Sequence, residues 1–243
     1  MIIEAVTFDF WETLIHEAPL TMREGQIQGW VDALHAEGLD IAREDVAAAL
    51  VANWGVFDER WVANDGQHTP VDAVAFMCGH LGVEPDDTLR RELVDVFTHV
   101  GETAPLELAP GVEECLLALR KAGVALGIVC DVGMTSAPTL RLRLERHGVL
   151  HYFQGWSFSD ETGWFKPAPE AFTPALRALG VSDPTKAVHV GDRRRTDVAG
   201  ARALGMVSVR YAGWSDDPPE NGPEADHVLT DHRDLLATLG LGT

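Results

Sequence analysis

The sequence predicts an α/β fold: a doubly wound parallel sheet with an inserted α-helical cap domain. Three observations lead there. From residue 105 onward, short β-branched runs alternate with amphipathic segments of helix length. The stretch 19–104 has helical spacing and no strand signal. Polar residues also stand at the ends of three separate predicted strands, at Asp9, Cys130–Asp131 and Gly191–Asp192. Strands alternating with helices imply parallel βαβ units, and such sheets bind ligands outside the carboxyl ends of their strands.

The elements follow in order. "IIEAVTF" is short and β-branched, as a buried strand is. "TMREGQIQGWVDALHAEG", "AREDVAAALVANWGVFDERWVA", "TPVDAVAFMCGHLG" and "PDDTLRRELVDVFTHV" read as helices, each opening near Thr, Asp or Pro. After "ELAPG", the helix "GVEECLLALRKAG" closes at Gly123 and leads into the strand "VALGIVCD". Next come the helix "SAPTLRLRLERHG", the short strand "FQGWSFSD" and the helix "PEAFTPALRALG". The strand "KAVHVGD", the helix "RTDVAGARALG" and the strand "MVSVRYAG" follow, and "ADHVLTD" and "HRDLLATLG" close the chain. The expected division is a core of residues 1–18 and 105–243 with a helical cap at 19–104. Hinges are expected near Glu17–Pro19 and Glu107–Pro110. In the cap, Trp30, Trp54, Phe57, Trp61, His68 and His80 read as packing residues before substrate contacts.

Composition narrows the partners. The 243 residues carry a formal net charge of −19, which repels polyanions and makes nucleic acid and anionic membrane poor partners. An acidic protein handling an anionic small molecule needs local positive charge or a metal. Lysine occurs only at Lys121, Lys166 and Lys186. Cys78, Cys115 and Cys130 are odd in number and far apart, which suits a reducing cytoplasm better than a disulfide framework. No signal peptide or membrane span is expected.

Three stretches carry chemistry. Asp9 ends the apolar run of "VTFDFWETLI"; taken alone it is as much a turn cap as a reactive group. "VHVGDRRRTD" is more specific: Gly191 permits a tight exit from a strand, Asp192 follows, and Asp197 comes five residues later. Carboxylates gathered near Asp9 repel unless a cation joins them, and hard oxygen ligands with room for a phosphate suit Mg²⁺. The alternative for Asp197 is an acid at a helix N-terminus. Lys166, in "GWFKPAPEAF", precedes Pro167 and is therefore extended. It is either a surface lysine or the ammonium that offsets Asp9 and a bound phosphate.

These residues, in this order, resemble the haloacid dehalogenase superfamily. "FDFWETL" looks like its nucleophile motif, "LGIVCD" like its phosphate-binding motif, "GWFKPAPEAF" like its lysine motif and "VGDRRRTD" like its metal-acid motif. The resemblance implies a Rossmann-like core with a cap, and a hydrolase for a small phosphorylated metabolite. It implies Asp9 as nucleophile, Lys166 holding nucleophile and phosphoryl group together, and Thr13 ordering the loop. It further implies Mg²⁺ on Asp9, Asp192 and the Trp11 main-chain carbonyl with Asp197 near or behind, and phosphate binding at Cys130 and Asp131.

Two residues depart from the family pattern. Trp11 stands where its phosphatases carry an acidic general acid/base, and Cys130 stands where Ser or Thr is usual. Asp131 beside Cys130 adds a negative charge where a phosphate binds. The family's dehalogenases carry Tyr at the position of Trp11, so a metal-free dehalogenase-like hydrolase is the second reading. A binding or regulatory protein with weakened chemistry is the third.

Overall fold

The computed structural model describes residues 3–17, 21–63 and 65–241. The expected hinge at Glu17–Pro19 runs outside these, since residues 18–20 are not among them. The chain forms two compact units.

The first unit comprises residues 1–16, 106–131 and 144–243. Its strands are β1 (Ala5–Phe8), β4 (Ala125–Cys130), β5 (Gly155–Phe158), β6 (Ala187–Gly191), β7 (Val207–Tyr211) and β8 (His227–Leu229). They form one sheet in the order β5-β4-β1-β6-β7-β8, every described pair parallel. The order reverses at β1, which lies between β4 and β6 with all four residues buried. In a doubly wound sheet this switch point is where a crevice opens at the carboxyl ends. Helices α5 (Val112–Lys121), α7 (Ser159–Thr162), α8 (Pro169–Ala178), α9 (Ala199–Ala203) and α10 (Leu235–Thr238) complete the unit. The core beneath α8 joins Ala5 and Val129 of the sheet to Phe172, Leu176, Val181 and Met206. A short pairing of β2 (Ile15–Glu17) with β3 (Leu106–Leu108) was not legible in the sequence.

The second unit holds α1 (Thr21–Ala36), α2 (Arg43–Ala63), α3 (Pro70–Leu81) and α4 (Asp87–Thr103). Helix α3 opens on a reciprocal capping box between Thr69 and Asp72, with Pro70 at its first position, and closes at Gly82 with φ 68°. Asp86 caps α4 by accepting the Thr88 and Leu89 N–H groups. Trp30 and Phe97 meet edge to face at 6.2 Å in the interior. Trp30 and Phe57 are buried, in keeping with a packing role.

Residues 132–143 group with this helical unit, where the sequence reading placed them in the core. The reason is local packing around Gly101 of α4 and Trp54 of α2. The Arg143 Nε donates to the Gly101 carbonyl at 2.6 Å, and the methyls of Thr135 and Thr139 crowd the bare Cα of Gly101. The Trp54 ring lies against Gly133. The described part of α6 (Ala137–Arg146) therefore belongs to both units. Among the described residues no helix is long and apolar enough to cross a membrane.

Gly127 of β4 and Gly155 of β5 face each other in register. A Cβ on Gly155 would stand 2.7 Å from Leu179 Cγ and 2.8 Å from the Ala175 carbonyl oxygen. The bare strands are what let α8 approach the sheet this closely. Gly155→Ala is expected to destabilise the protein by about 1–3 kcal/mol, as overpacking does. Urea denaturation checks this; unchanged stability would mean that α8 can shift outward freely.

Candidate active site

The strand ends predicted to converge do so. Asp9 follows β1, and its N–H still donates to the Val190 carbonyl of β6 at 2.8 Å. The chain then turns sharply. The Leu14 and Ile15 N–H groups both return to the Phe10 carbonyl at 3.0 Å, and Glu12 adopts φ 55° to make the turn. A left-handed conformation at a non-glycine residue is locally unfavourable, so the surroundings hold it.

Asp192 follows Gly191 directly, and Asp197 lies in the single π-helical turn Arg194–Val198. Gly191 is needed for space. An added Cβ would collide with the Asp197 carboxyl group. Lys166 is buried, and its main-chain N–H donates to Asp131 Oδ1 at 3.0 Å. Its Nζ lies 2.7 Å from Asp9 Oδ1 and 2.7 Å from Asp197 Oδ1. Asp197 Oδ1 also accepts His189 Nε2 at 2.9 Å, and its Oδ2 accepts the Arg193 N–H at 3.0 Å.

Three acids in one pocket thus have three environments. Burial pushes Asp9 up to about 6, with Lys166 opposing and Asp197 adding to the rise. Burial pushes Asp192 well above the usual carboxylate range, reinforced by Asp197 and Asp9. Burial acts the same way on Asp197, but Lys166 and His189 outweigh it and hold that carboxyl well below its ordinary value. Burial opposes the Lys166 charge, and Asp197 and Asp9 override it, leaving the ammonium firmly protonated.

Carboxylate oxygens of Asp9, Asp192 and Asp197 lie within 4.8 Å of one another. Ionised, the three carry three negative charges, met only in part by Lys166 and by the Arg193 guanidinium beside Asp192, and a cation would balance what remains. An all-oxygen donor set of this kind suits Mg²⁺. Asp197 has donors on both oxygens, Lys166 and His189 on one and the Arg193 N–H on the other.

The second predicted segment ends its strand as expected. Cys130 ends β4 fully enclosed; burial, then the Asp9 charge, push its thiol well up. A protonated, buried thiol has little to offer a phosphate oxygen. Asp131 accepts a hydrogen bond from the lysine backbone, and an ionised carboxylate has no proton to donate to a phosphate. The Thr13 hydroxyl is buried with no hydrogen-bond partner. What is held at residue 13 is the main chain: the Thr13 carbonyl accepts His232 Nε2 at 2.8 Å. Trp11 is half-buried, edge to face with Phe10 at 5.0 Å.

Residues 3–205 match the model of the haloacid dehalogenase-like hydrolases. The chain belongs to that family. A glyceraldehyde 3-phosphate phosphatase from Methanopyrus kandleri is 31% identical, the alignment covering 96% of each chain. The crystal structure of a HAD phosphatase from Thermococcus onnurineus superposes with a TM-score of 0.66 at 26% identity, over 98% of each chain. A 2-haloacid dehalogenase structure from Pseudomonas syringae gives 0.73 at 24% identity, over 99% of each chain, a likeness of fold.

In this haloacid dehalogenase-like hydrolase several residues around the site escaped sequence reading. Arg193 Nε lies 3.0 Å from Asp192 Oδ2. The Arg194 N–H donates to buried Asp217 at 2.7 Å, and the guanidinium reaches Glu224, which also takes a bidentate pair from Arg210. These ties fasten the loop after β7 to the turn bearing Asp197. The run of three arginines was a visible signal; the partners of Arg194, Asp217 and Glu224, were not.

His232 is fully buried and stacks on Tyr211 at 4.3 Å, 19° from parallel. Burial lowers it to about 4, so it is neutral and donates from Nε2 to the loop after Asp9. A base with a lowered folded pKa contributes stability that is complete above its unfolded value of 6.5 and is lost as pH falls toward 4. The parent is therefore expected to lose about 2 kcal/mol more than His232→Gln between pH 7.5 and pH 5. Urea denaturation at the two pH values measures this. The rise at Asp9 acts in the opposite sense but is common to both proteins and cancels. Parallel pH profiles would refute the assignment.

Proposed function

We propose that the protein is a Mg²⁺-dependent phosphatase acting on a small phosphorylated metabolite through an aspartyl-phosphate. One observation carries the reading: the buried Lys166 ammonium bridges Asp9 and Asp197, with Asp192 close enough to complete a cation site. Lys166 occupies Asp9 Oδ1, so Oδ2 is the attacking oxygen. It forms a bond to phosphorus as the bond to the ester oxygen breaks, and the electron pair departs with that oxygen. Water then attacks phosphorus, releasing inorganic phosphate and restoring Asp9. Asp9, Asp192 and the Trp11 carbonyl would hold the cation, with Asp197 behind them. Bound Mg²⁺ would neutralise phosphoryl charge and hold the ester for in-line attack. The helical unit is proposed as the cap. The name of the M. kandleri relative makes triose phosphates the first substrates to try.

Lys166 serves two tasks in this reading. It holds Asp9 in one rotamer, and its charge offsets the phosphate that approaches. Asp131 fixes the lysine backbone, so the ammonium is aimed from both ends. The dehalogenase-like reading has one residue in its favour, Trp11, since a departing halide needs no proton. The acidic cluster disfavours it, because without a cation the excess charge stays buried.

A panel of phosphate esters with and without Mg²⁺, with a haloacid control, tests the proposal. Asp9→Asn is expected to reduce turnover to background while the circular dichroism spectrum stays that of the parent, with a lower melting temperature because Lys166 loses one of its two carboxylates. Hydrolysis of the haloacid that survives chelation would move the assignment to carbon chemistry. Activity retained in Asp9→Asn would remove Asp9 as nucleophile.

Trp11 has no proton to give, so the leaving oxygen departs unprotonated by this residue. General acid help is commonly worth about 10²–10⁴-fold, and poor leaving groups lose it in full. Acyl and aryl phosphates are expected to turn over far faster than alkyl phosphates, with a steep dependence on leaving-group pKa. Trp11→Asp is expected to flatten that dependence and to raise the alkyl rate. A parent indifferent to the leaving group would show that another residue supplies the proton.

A further inference from the structure

His189 sits in β6, three residues before Asp192, with 1% of its surface exposed. Its side chain has so far entered only as a donor to Asp197. The β1–β6 register sets Thr7 opposite it. Thr7 Oγ1 lies 2.9 Å from His189 Nδ1, and His189 Nε2 lies 2.9 Å from Asp197 Oδ1. That same oxygen accepts Lys166 Nζ at 2.7 Å, and the lysine reaches Asp9 Oδ1 at 2.7 Å. A continuous buried chain of hydrogen bonds therefore runs Thr7–His189–Asp197–Lys166–Asp9. It begins two residues before the nucleophile and ends on it.

The donor roles follow from chemistry. A carboxylate only accepts, so His189 Nε2 carries the hydrogen that goes to Asp197. The ring is held at its far side by Thr7, and the edge of Phe172 packs against it at 5.0 Å and 81°. A ring fixed at both nitrogens and along one face has one orientation. Asp197 turns on two side-chain torsions; the ring on one oxygen and the Arg193 N–H on the other leave it one orientation as well.

We propose that His189 is a positioning residue for Asp197 and, through Asp197, for the lysine on the nucleophile. This rests on the phosphatase reading above. Its claim is specific: the imidazole reserves Asp197 for Lys166, so that the lysine meets Asp9 at a fixed angle and Asp9 Oδ2 faces the substrate. Partners of this outer kind commonly contribute about 10–100-fold to activity.

The test compares His189→Leu, which removes the donor, with His189→Gln, whose amide nitrogen can donate to Asp197. Both are assayed with p-nitrophenyl phosphate well below their melting temperatures. The expected result is a fall in kcat of about 10–100-fold for His189→Leu with KM within about twofold, and recovery in His189→Gln to within about fivefold of the parent. A His189→Leu variant with the parent's kcat, or equal losses in both variants, would overturn the proposal. If His189→Leu does not fold, Thr7→Val frees the far side of the ring at almost constant volume. It is expected to lower kcat several-fold at constant KM, and an unchanged kcat overturns the proposal. The pairing has its own readout that needs no turnover. The His189 Nε2–H proton is expected far downfield in the NMR spectrum and is expected to move upfield in Asp197→Asn. A parent without phosphatase activity would refute the phosphatase reading; an imidazole signal indifferent to residue 197 would refute this inference.

Discussion

The site depends on one ammonium group out of water. Lys166 is buried, and removing such a group from solvent costs several kcal/mol unless its charge is met nearby. Two carboxylate oxygens at 2.7 Å meet it, from segments that lie 157 and 31 residues away in the chain. The ion pairs thereby fasten the end of β1, the stretch before α8 and the turn after β6 to a single point. Deleting either acid would leave the buried ammonium with one carboxylate in place of two, and breaking a buried pair commonly costs about 3–5 kcal/mol. Stability and site geometry are consequently coupled here: the contact that holds the segments together also fixes the Asp9 carboxylate.

Acids of one chemical type acquire different tasks from their surroundings alone. Asp197 is surrounded by donors and kept ionised, which makes it a fixed anchor. Asp192 has the exposed Arg193 beside it and is pushed toward its neutral form by burial and its acidic neighbours. Asp9 lies between, committed at one oxygen to Lys166. The hydrogen-bond count at each carboxyl group, more than position in the sequence, separates the three environments. The loop beyond Asp9 is set in the same economical way, by a neutral imidazole on the Thr13 carbonyl and a left-handed Glu12.

Much of the architecture was legible because it rests on local pattern. The alternation after residue 105 yields the parallel strands, and the four helices between Thr21 and Thr103 lie close to where their spacing and caps put them. Asp9 and Asp192 could be picked out because strand ends in such a sheet converge, Lys166 because lysine is scarce in this chain, and Asp197 by its spacing from Asp192. What could not be read are facts of three-dimensional pairing. His189 looks like an interruption in an apolar strand until the β1–β6 register sets it against Thr7. Asp131 reads as a phosphate neighbour until the chain from β5 returns and delivers the Lys166 N–H to it. The grouping of residues 132–143 with the helices depends on Gly101 and Trp54, both remote in sequence.

Gly191 carries a consequence for how this sequence can change. Its place in β6 asks for no unusual backbone angle; it asks for an empty volume, since the Asp197 carboxyl group occupies the position of a side chain at 191. The two residues share one space. A larger residue at 191 could be accommodated only by a shorter acid at 197, and aspartate is already the shortest acidic side chain. A Cβ at 191 therefore requires the Asp197 carboxyl group to move from where it meets Lys166 and His189. The pair is thus locked in a way that the salt bridges themselves, which can lengthen or swap partners, are not, and drift through this motif must pass around positions 191 and 197 together.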